Sequence, residues 1–398
     1  VTEAVAIDAV TASAARALLR LRGDTASRAL AELLVRRYNT LDDVGKTRFF
    51  FVLLREFGAV RADVDAAIAA YQSDPGETQL VALAEASASQ RLLLFRALNT
   101  ASGGIAVLLD MRTVLLAHRH DMPELAPVER DLKYLLRSWF NRGFLRLQQL
   151  DWTTPAHILE SLIRYEAVHE IRGWADLRRR LAPDRRSFGF FHPALPDEPI
   201  IFVTVALTTG LATSIQDVID APVTPAPEGA DTAIFYSITN CQTGLSGISF
   251  GSFLIKQVTE RLTAEDPALT TFSTLSPIPG FATWLAENHP NADTEDRPSM
   301  LALCAIYLVT VRRGSLPHDP VARFHLRNGA RIEQINWHGD TSPKGMTESH
   351  GLLVNYLYSG QDIAANNEAL TLDGLVTASP AVIAVLDDSH HAAVRTGS

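Results

Sequence analysis

The chain has 398 residues, 47% of them apolar and 20% charged, and a formal net charge of −9. That length has room for two domains with separate cores, and the composition is that of an ordinary globular protein rather than a disordered or fibrous one. The acidic balance excludes a dedicated basic nucleic-acid-binding domain, so any anionic ligand needs a local basic or dipolar site. The two cysteines, Cys241 and Cys304, exclude a disulfide framework and a cysteine zinc cluster, and they point to a reducing compartment. No charged segment followed by a long apolar run opens the sequence, and the apolar stretch 301–311 is too short to span a bilayer. A cytoplasmic setting with neither a nucleic-acid nor a membrane partner is the expectation.

In chain order, the first part to about residue 185 reads as all helix. Alanine-rich helical segments over 12–19, 64–71 and 80–88 come first. Leu132, Leu135, Leu136, Trp139 and Phe140 then recur at three- and four-residue spacing, with Arg130, Asp131, Lys133 and Arg137 between them. Thr154-Pro155 predicts a helix start, and Leu159, Leu162, Ile163, Ala167 and Val168 supply its buried face. The expected domains are a helical bundle over 1–185 and a second domain over 186–398. Prolines 183, 193, 196 and 199 surround the basic, aromatic run Arg185 to Phe191 at the boundary.

The second domain reads as mixed α/β. Strands are predicted over 200–206, 232–238, 270–275, 331–337 and 352–358, with helices over 253–262, 281–287, 300–311 and around His325. Alternation of this kind gives a mixed sheet covered by helices.

Three segments have chemistry within reach. The glycine-bearing stretch Cys241 to Ser252 lies between a buried strand and an amphipathic helix. It reads either as a phosphate cradle at a helix start or as a plain strand-to-helix turn. Ser276 stands at a strand end before Pro277, which holds it out of helical geometry. Its hydroxyl can donate to a substrate carbonyl or carboxylate, or cap the helix that follows; locally the cap is the stronger reading. His325 lies on a short helix ended by Gly329, either as a hydrogen-bonded structural residue or as an acid. The arginines at 178–180 and 185–186 read as a solvated helix face or as counter-charge for phosphates.

The His325 segment is similar to the helix that closes acyl-CoA-binding acetyltransferase folds, where a tyrosine takes the histidine's place. Ala233-Ile-Phe-Tyr-Ser-Ile238, Gly251-x-Phe-Leu-Ile-Lys256, Leu275-Ser-Pro-Ile-Pro-Gly-Phe281, Phe324-His-Leu-x-Asn-Gly-Ala330 and Ile335-Asn-Trp337 together resemble the malonyl-CoA decarboxylase family. The resemblance covers most of residues 130–360. It implies an all-α N-terminal domain and an α/β (α+β) C-terminal domain of N-acetyltransferase (GNAT) type with a central mixed sheet. It also implies conversion of malonyl-CoA to acetyl-CoA and carbon dioxide with no metal or organic cofactor. Ser276 and His325 take the catalytic positions of the family. Ser246, Gly247, Ile248, Ser249, Phe250, Gly251 and Ser252 take its CoA loop, and Tyr358 matches a supporting tyrosine. Ser249 departs from relatives with an acidic residue there, His350 replaces a small or thiol residue, and the mammalian peroxisomal tail is absent. Self-association as a dimer or tetramer through the helical domain is expected. An amine acyltransferase on the same fold and a non-catalytic malonyl-CoA sensor stay open as other functions.

Overall fold

The computed structural model describes residues 2–21, 23–222, 229–248 and 253–386. The chain forms two compact units, one of Val1–Leu145 with His192–Pro196 and Gln242–Ser249, the other of Arg146–Phe191, Asp197–Cys241 and Phe250–Ser398.

The first unit is helical. Its helices are α1 (Thr2–Arg20), α2 (Asp24–Asn39), α3 (Asp43–Glu56), α4 (Arg61–Ser73), α5 (Glu77–Ser87), α6 (Gln90–Asn99), α7 (Gly104–Ala117) and α8 (Ala126–Trp139). Asp42 starts α3 by accepting the Gly45 N–H at 2.7 Å, which satisfies one of the amides a helix start leaves free. The predicted three–four stripe of α8 falls on its buried face: Val128, Leu132 and Leu135 join Leu34, Phe50, Leu53, Phe95 and Leu108 in one core, and Leu136 is buried too. Helices α4 and α5 bury no residue, and Ile68, Leu80 and Val81 on them are exposed.

The second unit is built on a mixed sheet. Its strands are β1 (Arg146–Leu150), β2 (Arg185–His192), β3 (Leu195–Thr208), β4 (Thr232–Asn240), β5 (Thr271–Thr274), β6 (Ser276–Pro277), β7 (Arg312–Arg313), β8 (Leu316–Pro317), β9 (Arg331–Asn336) and β10 (Leu353–Leu357). The main sheet runs β1-β2-β3-β4-β5-β10, with β6 and β9 also paired to β10, while β7 and β8 form a separate ribbon. β1 with β2, β3 with β4, β7 with β8, and β10 with β5, β6 and β9 pair antiparallel, while β4 with β5 is parallel. The helices of this unit are α9 (Ala156–Tyr165), α10 (Trp174–Arg180), α11 (Ile215–Ile219), α12 (Phe253–Glu265), α13 (Phe281–Asn288), α14 (Arg297–Val309), α15 (Pro320–Arg327), α16 (Pro343–Ser349) and α17 (Ile363–Asp373). A helical first part and a second part with a mixed sheet agree with the expected fold class.

Two strands differ from the sequence reading. β1 falls inside the stretch expected to be all helix, and its residues pair with Ser187 to Phe191. The basic, aromatic run taken as boundary is β2, a strand buried along nearly its whole length. Arg185 hid the pattern because it is satisfied internally: it donates to the Asp184 and Val218 carbonyls. The neighbouring Arg179 makes a two-pronged pair with Asp184 at 2.8 and 3.0 Å, and buried Arg180 donates to the His169 carbonyl at 2.7 Å. Arg180 and Arg185 are buried and Arg179 is half-buried, so these three clamp neighbouring backbone and carboxylate rather than forming a solvated face.

Candidate active site

β5 runs beside β4 only from Thr271 to Thr274, where the last ladder pair is Phe235 with Thr274. The Leu275 N–H still reaches the Phe235 carbonyl at 3.0 Å, and then the chain turns to pair with β10 through Ser276 and Pro277. Ser276 therefore sits where the parallel pair ends. Its hydroxyl donates to Thr274 Oγ1 at 2.9 Å and lies 3.1 Å from His325 Nε2. It caps no helix: α13 begins at Phe281, and its N-cap, Gly280, has no side-chain cap. The local reading of Ser276 as a cap is thus replaced by a buried hydroxyl–imidazole contact.

His325 is presented by α15. Asp319 starts that helix by accepting the Val321 and Ala322 N–H groups at 2.9 and 2.8 Å, and Pro320 fills the first turn. Gly329 ends it at φ 84°, and a Cβ there would lie 2.3 Å from the Ile363 carbonyl oxygen, so this position takes only glycine. The helix is fixed at both ends, and the imidazole is buried at 4% exposure.

Two tyrosines from the β10 edge hold the ring. Tyr358, just past β10, places its hydroxyl 2.8 Å from His325 Nδ1. Tyr356 lays its ring parallel to the imidazole, with centroids 4.7 Å apart and 19° between planes. The network assigns the tautomer. Because the Ser276 proton goes to Thr274, His325 Nε2–H donates to Ser276 Oγ and Nδ1 accepts from Tyr358. Burial pushes the imidazole down to about 3, so the ring is neutral near pH 7. Burial raises the Tyr358 hydroxyl well above its ordinary value, which keeps its proton in place for that bond.

A cavity of about 920 Å³ borders this network, within the range of small-molecule sites. Ile255, Lys256 and Thr259 of α12, Phe272 of β5, Asn328 and Tyr358 are among its walls. Asn328 is buried, and its Nδ2 has no hydrogen-bond partner among the described residues.

The glycine-bearing stretch begins with a 3-10 turn, Thr243–Leu245. Ser246 and Gly247 follow it exposed, with Gly247 left-handed at φ 71°, and Ile248 is buried. Ser249, Phe250, Gly251 and Ser252 lie outside the described residues. Of the residues singled out in sequence, the structure brings Ser276, His325 and Tyr358 together. Thr274, Tyr356 and Asp319 were missed. Only Asp319 carried a local signal, an Asp-Pro pair before an apolar helical stripe.

A neutral imidazole held between two hydroxyls, where a parallel strand pair ends, gives an α/β protein with a buried hydroxyl–imidazole network. The family model of the malonyl-CoA decarboxylase C-terminal domain matches residues 143–297 and 287–395, and that of the N-terminal domain matches 57–140. The chain belongs to the malonyl-CoA decarboxylase family. It is similar to the crystal structure of malonyl-CoA decarboxylase from Rhodopseudomonas palustris, at 45% identity and TM-score 0.89, over 94% of this chain and 98% of that one. It is also similar to the enzyme of that name from Agrobacterium vitis, at 46% identity and TM-score 0.88, over 94% and 99%. The mitochondrial malonyl-CoA decarboxylase of Anser anser anser is 36% identical over 69% of this chain, and the match spans 65% of that relative's length.

Proposed function

We propose that the protein decarboxylates malonyl-CoA to acetyl-CoA and carbon dioxide, with His325 as proton donor and Ser276 orienting the malonyl group. The observation that carries this reading is the His325 ring held between Ser276 and Tyr358 at 3.1 and 2.8 Å. The end of parallel pairing between β4 and β5 supports a GNAT-type acyl-CoA fold, and the 920 Å³ cavity against Tyr358 supports a large ligand.

Loss of carbon dioxide from a malonyl thioester moves the electrons of the C–C bond into the thioester, leaving an enolate. The barrier falls when the carboxylate stands perpendicular to the thioester plane and the developing oxyanion meets a fixed donor. In this reading the Ser276 hydroxyl leaves Thr274 and donates to the malonyl group, which sets that orientation. His325 Nε2–H then delivers its proton to the α-carbon. The thioester enolate carbon is a far stronger base than imidazolate, so a neutral imidazole is an adequate donor. The Tyr358 proton, hydrogen-bonded to Nδ1, then moves onto the ring and restores the neutral imidazole, leaving Tyr358 as the tyrosinate. A proton from solvent then restores Tyr358, so each turnover takes up one proton as the carboxylate leaves as carbon dioxide.

Residues 246–252 form the CoA loop in this reading, with Ser246, Gly247 and Ile248 as its described part. The reading extends to fatty acid metabolism in the cytoplasm, supported by two buried free thiols. No helix of the described residues is long and apolar enough to cross a membrane. It also extends to a homo-oligomer, supported by the apolar side chains that α4 and α5 leave exposed.

Incubating the purified protein with malonyl-CoA alone tests the function. Acetyl-CoA and carbon dioxide in equal amounts are expected. CoA release that requires an amine would make it an acyltransferase, and tight malonyl-CoA binding without turnover would make it a sensor.

A further inference from the structure

Arg112, on α7, is 1% exposed and ion-paired to Glu129 of α8 at 2.9 Å. Its two remaining nitrogens donate to the carbonyls of Gly244 and Ser246, at 2.6 and 2.8 Å. A charge-assisted pair of this kind fixes a backbone segment in place. Gly244 lies so close to α7 that a Cβ would be 2.4 Å from the Leu109 carbonyl oxygen. The turn that opens the glycine-bearing stretch is therefore seated on the helical unit by two independent contacts.

One helical turn beyond Glu129, on the same face of α8, stands Lys133. Its Nζ is 3.6 Å from the position a Cβ on Gly247 would occupy. Glu129 is already matched by Arg112, so it leaves the Lys133 charge unneutralised. The ammonium is half-buried and, among the described residues, meets no carboxylate or carbonyl acceptor. The Gly247 N–H next to it likewise has no acceptor among the described residues. An unpaired cation and a free amide side by side, in a protein of net charge −9, are the components of an anion site.

We propose that Lys133, beside the Gly247 N–H, contacts a phosphate of the acyl-CoA nucleotide. This rests on the reading of residues 246–252 as the CoA loop. Lys133 binds as a point charge, and Arg112 is a positioning residue that holds the loop backbone beside it.

The test compares CoA binding by calorimetry for the wild type, Lys133→Met and Lys133→Arg, at two salt concentrations. Lys133→Met is expected to raise Kd about tenfold and to flatten its salt dependence, with Lys133→Arg restoring most of the affinity. Turnover of malonyl-pantetheine, which carries no phosphate, supplies the contrast: the loss in kcat/KM should be confined to malonyl-CoA. An unchanged Kd for Lys133→Met overturns the proposal. So does an equal loss with both substrates, which would mark Lys133 as structural. A wild type that binds CoA but releases no carbon dioxide would defeat the decarboxylase reading alone, because the Kd comparison still decides the role of Lys133. A wild type that does not bind CoA would defeat both.

Discussion

The hydroxyl of Tyr358 lies 2.8 Å from Nδ1 of His325, on the side of the ring opposite Ser276. A partner on one imidazole nitrogen decides which proton the other nitrogen carries. Tyr358→Phe keeps the ring and removes that partner, so both tautomers become populated and only one of them donates through Nε2. Turnover should fall about 10–100-fold with KM nearly unchanged, by analogy with the loss of outer partners at metal-bound histidines. Steady-state kinetics on malonyl-CoA measures this; a rise in KM at constant kcat would make Tyr358 a binding residue.

Removal of the two central groups separates their roles. His325→Asn should cost about 10²–10⁴ in kcat, the span of a lost general acid. Ser276→Ala should cost about 10²–10³, the span of a lost oriented donor. CoA affinity should stay within about threefold of wild type in both variants, measured by calorimetry against RT ln K. Wild-type turnover by His325→Asn would remove His325 from the mechanism.

Stability should fall with acidification in a defined window. The native state holds His325 down to about 3 and His169 down to about 4, both mainly through burial, whereas an unfolded histidine titrates near 6.5. Below about pH 6.5 the unfolded chain takes up protons that the native chain refuses, so stability drops as pH falls toward 4. Each histidine contributes a slope of about 1.4 kcal/mol per pH unit across that window. Urea midpoints between pH 7 and 5 would show this, and His325→Gln should reduce the slope by one histidine's share. Identical slopes in the two proteins would contradict the neutral, buried assignment.

Asp319 reaches the reaction through the helix it starts. Asp319→Ala removes both N-cap bonds and should destabilise the protein by about 0.5–2 kcal/mol. It should also lower kcat, since the start of the His325 helix loosens. Asp319→Asn keeps an acceptor at the cap and should recover most of both losses. Equal damage from Ala and Asn, read by urea unfolding and kinetics together, would show that the negative charge rather than the cap is what matters.

Much of this site was legible one residue at a time. Ser276 was marked by the proline after it, and His325 by a helix with a glycine at its end. Their meeting was not legible, because 49 positions separate them and the α13 and α14 segments intervene. The family resemblance supplied the pairing that local pattern lacked. β2 was hidden because Arg185 and Arg186 imitate a solvated segment while Arg185 is satisfied inside. β1, with only Leu150 fully buried, carries almost no alternation and is specified by its partner strand. The hold of Arg112 on the 243–246 turn gave no signal, since those two acceptors are carbonyls more than 130 positions away and any residue type supplies a carbonyl.

The missing space above Gly244 also limits how such sequences can be recombined. With the Leu109 carbonyl where a side chain would go, the path of α7 and the turn at 243–245 form a matched pair of backbones. A chimaera that takes 104–117 from one parent and 242–248 from another inherits two surfaces shaped for different counterparts. Crossovers that keep both segments from one parent should yield folded hybrids more often than those that split them, regardless of overall identity between the parents.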